Sequence, residues 1–218
     1  MGLAFLNQET PSKPTATVPK PTTSQDSDLL IADFEGTTYG DWKTTGEAFG
    51  PRPARGTLPG QMSVTGFQGK GLVNSYYRGD RTTGTLTSPP LTIQRKYIHF
   101  LVGGGKYPGT TCINLLVAGK AVRTATGPNN QGGGSEKLAW ATWDVAEFLN
   151  QQAVIQIVDQ RTGGWGHINV DHLFQSNRQQ EMSREVQEKP TVIVKSQLTR
   201  WQQYAQVLLS SNEFMHLR

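Results

Sequence analysis

The sequence predicts an all-β protein built as an antiparallel β-sandwich. Three observations lead there. The 218 residues hold 24 Gly and 12 Pro but only 35% hydrophobic and 17% charged residues, which suits many turns and neither a helical bundle nor a disordered chain. Of those glycines, 23 lie between Gly36 and Gly166, so the turns crowd into one block. Between them short β-branched and aromatic runs recur at close spacing.

Leu29-Leu-Ile-Ala-Asp-Phe-Glu35 opens the block as a first strand. Gly71–Tyr77, Gly84–Ser88 and Leu91–Ile93 follow as short strands. In Tyr97-Ile-His-Phe-Leu-Val102 the residues Tyr97, Phe100 and Val102 cannot share one face, so this strand is expected to be buried on both sides. Cys112–Val117 leads through Ala118-Gly-Lys to Ala121–Ala125, a hairpin with a tight turn. A helical turn is expected at Val145–Leu149. Val154-Ile-Gln-Ile-Val158 alternates at period two, and His167–Phe174 closes the set.

Composition divides the chain into three parts. Residues 1–27 are rich in Pro, Thr, Ser and Lys without apolar periodicity and read as a disordered linker. Residues 28–178 form the sandwich. Residues 179–218 lose glycine and read as a polar spacer followed by an amphipathic α-helix, capped by Ser196 and presenting Leu198, Trp201, Ala205, Leu208 and Leu209 on one face.

Several function classes drop out. The net charge is +4 with no block of five Lys or Arg, so no nucleic-acid partner is expected. The single Cys112 excludes a disulfide framework, a Cys-based zinc site and covalent haem attachment, and it reads as a buried strand thiol. No stretch is long enough for a membrane span, and Met1–Leu6 shows no signal peptide. Gly103–Gly105 and Gly132–Gly134 lack a nucleotide-binding pattern and read as flexible loops at a site edge. Arg78-Gly-Asp80 reads as a chance tripeptide, and no Gly-x-Ser-x-Gly elbow or singled-out carboxylate pair supports catalysis.

Two groups of residues remain. Asp33 and Glu35 stand at the first strand and Asp171 in the last; pairing of those strands would gather three carboxylates, a donor set for one structural Ca²⁺. Gly163-Gly-Trp-Gly-His-Ile-Asn-Val-Asp171 is the more pointed segment. Its glycines allow close approach of a partner, and Trp165 offers a flat ring for stacking on a sugar face. His167, Asn169 and Asp159 would add planar hydrogen-bonding groups, with Asp159 and Asp41 near the rim. His167 and His172, five apart, are expected to face opposite sides and share no metal.

The stretches Ile31-Ala-Asp-Phe-Glu-Gly36, Gly40-Asp-Trp42, Gly69-Lys-Gly-Leu-Val-Asn74, Gly84-Thr-Leu-Thr-Ser-Pro89 and Gly163–His172 occur in an order that resembles a known module. It is the accessory β-sandwich attached to levanases and other fructan hydrolases of glycoside hydrolase family 32, especially from planctomycete bacteria. The resemblance implies a galactose-binding-like jelly roll that binds fructan or a related polysaccharide, with one bound Ca²⁺ and a surface or extracellular location. It implies no hydrolysis, because the catalytic Trp-x-Asn-Asp-Pro, Arg-Asp-Pro and Glu-Cys motifs of that family are absent. The segment Arg200–Phe214 is similar to the last helix of large planctomycete proteins that carry a cytochrome c-like domain. No haem role carries over, but the helix would offer a face to a protein partner. The competing reading is a structural or interaction domain of a larger surface protein that binds no sugar.

Overall fold

The computed structural model describes residues 27–179; the linker read at the N-terminus and the spacer and helix read at the C-terminus lie outside them, save at their borders. Eleven strands are present among the described residues: β1 (Leu29–Ala32), β2 (Lys43–Gly46), β3 (Val73–Asn74), β4 (Gly84–Thr87), β5 (Leu91–Thr92), β6 (Tyr97–Gly104), β7 (Thr111–Val117), β8 (Lys120–Ala125), β9 (Ala139–Asp144), β10 (Gln152–Asp159) and β11 (Ile168–Ser176). A 3₁₀ turn at Ala146–Phe148 stands where the helical turn was expected.

The strands form two antiparallel sheets. One runs β1-β11-β6-β9, with β3 continuing the β1 edge of β11; the other runs β2-β4-β10-β7-β8, with β5 continuing the β4 edge of β10. Their inner faces interdigitate. Ile98, Phe100 and Val102 of β6 meet Ile113 and Leu115 of β7 and Ile155 and Ile157 of β10 in one buried cluster. Each fully buried aliphatic side chain there stabilises the fold by about 1.5–3 kcal/mol. Phe100 and Trp143 pack edge to face at 4.5 Å, a geometry favoured by the ring quadrupoles.

The expected two-sided burial of the sixth strand is present, and it has a specific cause. Leu101 points away from the main core into a second cluster with Ala54, Val64, Leu72 and Leu138. The long β2–β3 connection folds back over the outer face of the first sheet to supply most of it. The hairpin turn at Ala118-Gly119 takes φ of 50° and 75°, the left-handed pair of a two-residue turn that matches strand twist.

Two strands escape the sequence reading for physical reasons. β2 is Lys-Thr-Thr-Gly, exposed throughout and held at a sheet edge by pairing with β4. β9 carries Trp140 and Trp143, one of which enters the core while the other packs on the outer face beside His172 and Phe174.

Antiparallel pairing sets the site's position. Ile168 lies opposite Gly104, Asp159 opposite Gly84, and Asn169 opposite Asn74. The connections β3–β4, β6–β7, β8–β9 and β10–β11 therefore all emerge at one end of the sandwich.

Candidate functional site

That end carries a charged network centred on His167, which is 3% exposed. His167 Nδ1 lies 2.6 Å from Asp80 Oδ1, and Nε2 lies 2.8 Å from Glu136 Oε1. Carboxylates only accept, so both ring nitrogens carry hydrogen and the imidazole is a cation. Burial pulls its pKa down, but the hydrogen bonds and charges of Asp80 and Glu136 outweigh this and raise it to about 9. Glu136 spends its other oxygen on Asn169, whose Nδ2 donates to Oε2 at 2.8 Å. Asp80 also accepts the Gly163 amide on its backbone carbonyl. The 75–83 and 160–167 connections are thus fastened through both side chain and backbone.

Trp165 sits between Gly164 and Gly166 with a φ of 61°. A bulky side chain in that region costs of order 1 kcal/mol or more and marks a position held by its surroundings. The holders are visible. Trp165 Nε1 donates to the Gln131 carbonyl at 2.8 Å, and the ring stacks on His167 at 5.7 Å and 27°. Tyr76 meets His167 from another side, edge-on at 4.8 Å, and its hydroxyl donates to the Gly60 carbonyl. A cavity of about 250 Å³ opens between these rings, lined also by Asp80, Glu136 and the exposed Met62.

The tri-glycine at residues 103–105 is not a loose loop over this site, contrary to expectation. Gly103 and Gly104 end β6, and a Cβ on Gly104 or Gly105 would fall 2.5 Å from the His167 carbonyl oxygen or 2.0 Å from that of Trp165. These glycines let the strand end pass directly beneath the Trp165 loop. The second tri-glycine does border the site: Gly133 lines the cavity, and a Cβ on Gly134 would strike the Trp165 ring at 2.5 Å.

The expected sugar contacts separate accordingly. Trp165 and His167 line the cavity. Asn169 is fully buried behind Glu136. Asp159, expected at the rim, is 1% exposed at the end of β10. Burial pushes its pKa up to about 7 against the Ser75 hydroxyl and the His167 charge, with Asp80 adding to the rise. Asp41 is exposed in the turn before β2 and is not part of the cavity wall. Asp80 and Glu136 went unnoticed in the sequence, the first inside a tripeptide read as chance, the second in a Gly-Ser-Glu-Lys run with no pattern.

The first and last strands do pair, Leu30 opposite Phe174 and Ala32 opposite Leu173. A bulge at His172, with φ of 50°, places Asp171 and His172 consecutively on the outer side while Leu173 returns to the core. His172 packs there on Trp140 and Phe174, apart from the His167 network. Asp171 is fully buried; Oδ2 accepts the Gln68 amide at 2.8 Å, while Oδ1 has no hydrogen-bond partner among the described residues. Burial raises its pKa to about 7, opposed by the Gln68 and His172 amides and reinforced by the charges of Glu35 and Asp33. Glu35 accepts the Lys70 and Gly71 amides, which hold its own pKa down, and Asp33 accepts the Glu35 amide. The orphaned Asp171 oxygen is of the donor type a hard cation takes, while Glu35 Oε2 already faces Arg55 Nη1 at 3.7 Å. Among the described residues no three acidic or histidine side chains converge as a formed metal cage.

No family model matches the chain. It is 48% identical over 152 residues to "Putative glycosyl hydrolase ecdE" of Aspergillus rugulosus, a match covering 68% of this chain and 21% of that protein. The chain therefore spans about a fifth of the relative's length. Similar solved structures include the K1 cleaved adhesin domain of Lys-gingipain from Porphyromonas gingivalis W83, at 18% identity and TM-score 0.44, covering 70% of this chain and 99% of that one. TmCBM61 in complex with β-1,4-galactotriose follows at 18% identity and TM-score 0.43, covering 66% and 94%. A family 35 carbohydrate-binding module from Clostridium thermocellum gives 15% identity and TM-score 0.36, covering 68% and 96%. These scores lie below 0.5, and the fold is read from the two sheets themselves.

Proposed function

We propose that this sandwich is a non-catalytic carbohydrate-binding module, acting outside the cell, with fructan or a related polysaccharide as ligand. The observation that carries the reading is the half-buried Trp165, held left-handed against His167 and facing Tyr76 across a small cavity with a carboxylate at its side. Apolar ring faces for the C–H surface of a sugar and a few placed polar groups for its hydroxyls are what such a ligand requires. The relative named as a glycosyl hydrolase supports it, since this chain matches only a part of that protein, as an accessory module would.

The site's chemistry supports binding without hydrolysis. Glycoside cleavage uses two carboxyl groups on either side of the scissile bond, one giving a proton and the other attacking or activating water. Glu136 has both oxygens engaged, by His167 and by Asn169, and is 3% exposed. Asp159 is buried below. Among the described residues of the cavity wall Asp80 alone remains accessible, and a single carboxylate cannot run either geometry.

Asp33, Glu35 and Asp171 form the second part of the proposal, as side chains that would hold one structural Ca²⁺. The ion would neutralise Asp171 in place of a proton and fasten the 68–71 segment to the last strand.

A glycan-array screen of the full chain, run with Ca²⁺ and again with chelator, tests both parts. Selective binding to fructans that Trp165→Ala removes is expected. Weakened binding in chelator supports the cation. A blank array from a demonstrably folded sample refutes the carbohydrate reading and favours an interaction module, and sugar release from levan or inulin refutes the non-catalytic one.

A further inference from the structure

The site beside Trp165 does not end at Asp80. Asp80 also lines a second cavity, of about 350 Å³, together with Arg78, Arg81, Thr162 and Gly163. Both cavities are open to solvent, and Asp80 is the wall they share. That wall is fixed in place. Asp80 Oδ1 holds His167 Nδ1 at 2.6 Å, and the Asp80 carbonyl accepts the Gly163 amide at 2.9 Å. A left-handed residue other than glycine lines the cavity on each side of it, Trp165 with φ of 61° and Arg78 with φ of 64°. Such conformations persist only where the surroundings over-determine them, and they cluster at ligand clamps.

The two cavities offer different groups. Beside Trp165 the side-chain donors are spent within the protein. Trp165 Nε1 bonds the Gln131 carbonyl, the Tyr76 hydroxyl bonds the Gly60 carbonyl, and both His167 nitrogens face carboxylates. Gln61 turns its amide to that of Asn74. A ligand there meets two aromatic rings and one accessible acceptor, Asp80 Oδ2, which carries no hydrogen bond among the described residues. Past Asp80 the balance reverses. Arg81 is exposed, and among the described residues it bonds only through its backbone amide. The N–H groups of its guanidinium are therefore available as donors. Arg78 is engaged, with Nη1 3.0 Å from Glu47 Oε2 and its guanidinium over the Tyr77 ring, so it builds the wall of the second cavity.

A sugar presents C–H faces, hydroxyl donors and oxygen acceptors together. The first cavity answers the faces and the donors, and the second answers the acceptors. Resting on the carbohydrate-binding reading above, we propose that the site binds a run of at least two consecutive units of a glycan chain. One unit rests on Trp165 and Tyr76 and donates a hydroxyl to Asp80 Oδ2; the next lies beyond Asp80 and accepts from Arg81. Because the units are linked, the second contact is made intramolecularly and adds affinity without a second loss of translational freedom.

The test is NMR titration of the full chain, which reads weak binding, with fructo-oligosaccharides and β-1,4-galacto-oligosaccharides of two to five units and with fructose and galactose as the one-unit members. The proposal expects affinity in the series that binds to rise at least tenfold from one unit to three. Arg81→Ala should reduce that rise to about threefold or less while leaving one-unit binding unchanged. Arg52→Ala, in the separate groove beside Pro51 and Pro53, should keep the rise in full. Affinity within about threefold from one unit to five in the parent overturns this proposal while leaving the carbohydrate reading standing. So does a rise that survives in Arg81→Ala, and so does one lost in Arg52→Ala instead, which would carry the chain into the other groove. No binding by any member of either series, with the sample shown to be folded, removes the carbohydrate reading and this proposal together.

Discussion

Replacing Asp171 by Asn should stabilise the protein, and by an amount that depends on pH. In the fold Asp171 is fully buried near Asp33 and Glu35, and its pKa is raised from 3.8 to about 7. An acid whose folded pKa lies above its unfolded value favours the neutral form in the native state. Its contribution to stability is whole below about pH 4 and is lost as pH rises toward 7. A rise of about three pKa units, at about 1.4 kcal/mol each, makes the ionised native form unfavourable by roughly 4 kcal/mol above pH 7. At pH 5 the penalty is only about 1–2 kcal/mol. Asn keeps a carbonyl oxygen for the Gln68 amide and turns an N–H toward the carboxylates where the orphaned oxygen now sits. In chelator, the gain of Asp171→Asn over the parent at pH 8 should therefore exceed the gain at pH 5 by roughly 2–3 kcal/mol. In a domain of this size that is on the order of 5–10 °C of melting temperature. Asp159 also titrates upward and lowers both proteins alike, so the difference between them isolates Asp171. Millimolar Ca²⁺ at pH 8 should restore the parent and leave the variant unmoved. Parallel pH profiles for the two proteins, or a variant less stable at pH 8, would refute the reasoning.

Three further outcomes follow from the same structure. His167 has a folded pKa of about 9 against 6.5, so its contribution is full below pH 6.5 and disappears as pH rises through 9; urea denaturation between pH 6 and 10 should record that loss. Glu136→Gln leaves a buried cation with one carboxylate and sets an amide N–H against the donors of His167 or Asn169. It should cost about 3–5 kcal/mol, and NMR titration of His167 should show its pKa lowered. Gly134→Ala pushes on the Trp165 ring and on Asn129, so ligand affinity should fall at least tenfold while the melting temperature moves by only a few degrees.

Much of the sandwich was legible because burial writes itself into strand sequences at period two. Ile155 and Ile157 alternate with half-buried neighbours on β10, and the Ala118-Gly119 turn announces its hairpin. β2 was illegible because an exposed edge strand of Lys and Thr is held by backbone pairing alone. Trp165 and His167 could be singled out because glycines flank an aromatic and an imidazole. Asp80 and Glu136 could not. Their meaning arises only where strand pairing brings residues 87 and 31 positions distant onto the two nitrogens of His167.

The sequence by itself determined the class of the fold and the order of most strands. Local apolar periodicity, glycine spacing and turn chemistry are short-range and need no partner to be read. Only the tertiary structure decided which groups face a ligand. It sank Asp159 and Asn169 beneath the floor, left Asp41 in a turn outside the cavity wall, and made His167 a shielded cation. Charge state and accessibility are properties of an environment, and the environment of His167 is assembled from loops far apart along the chain.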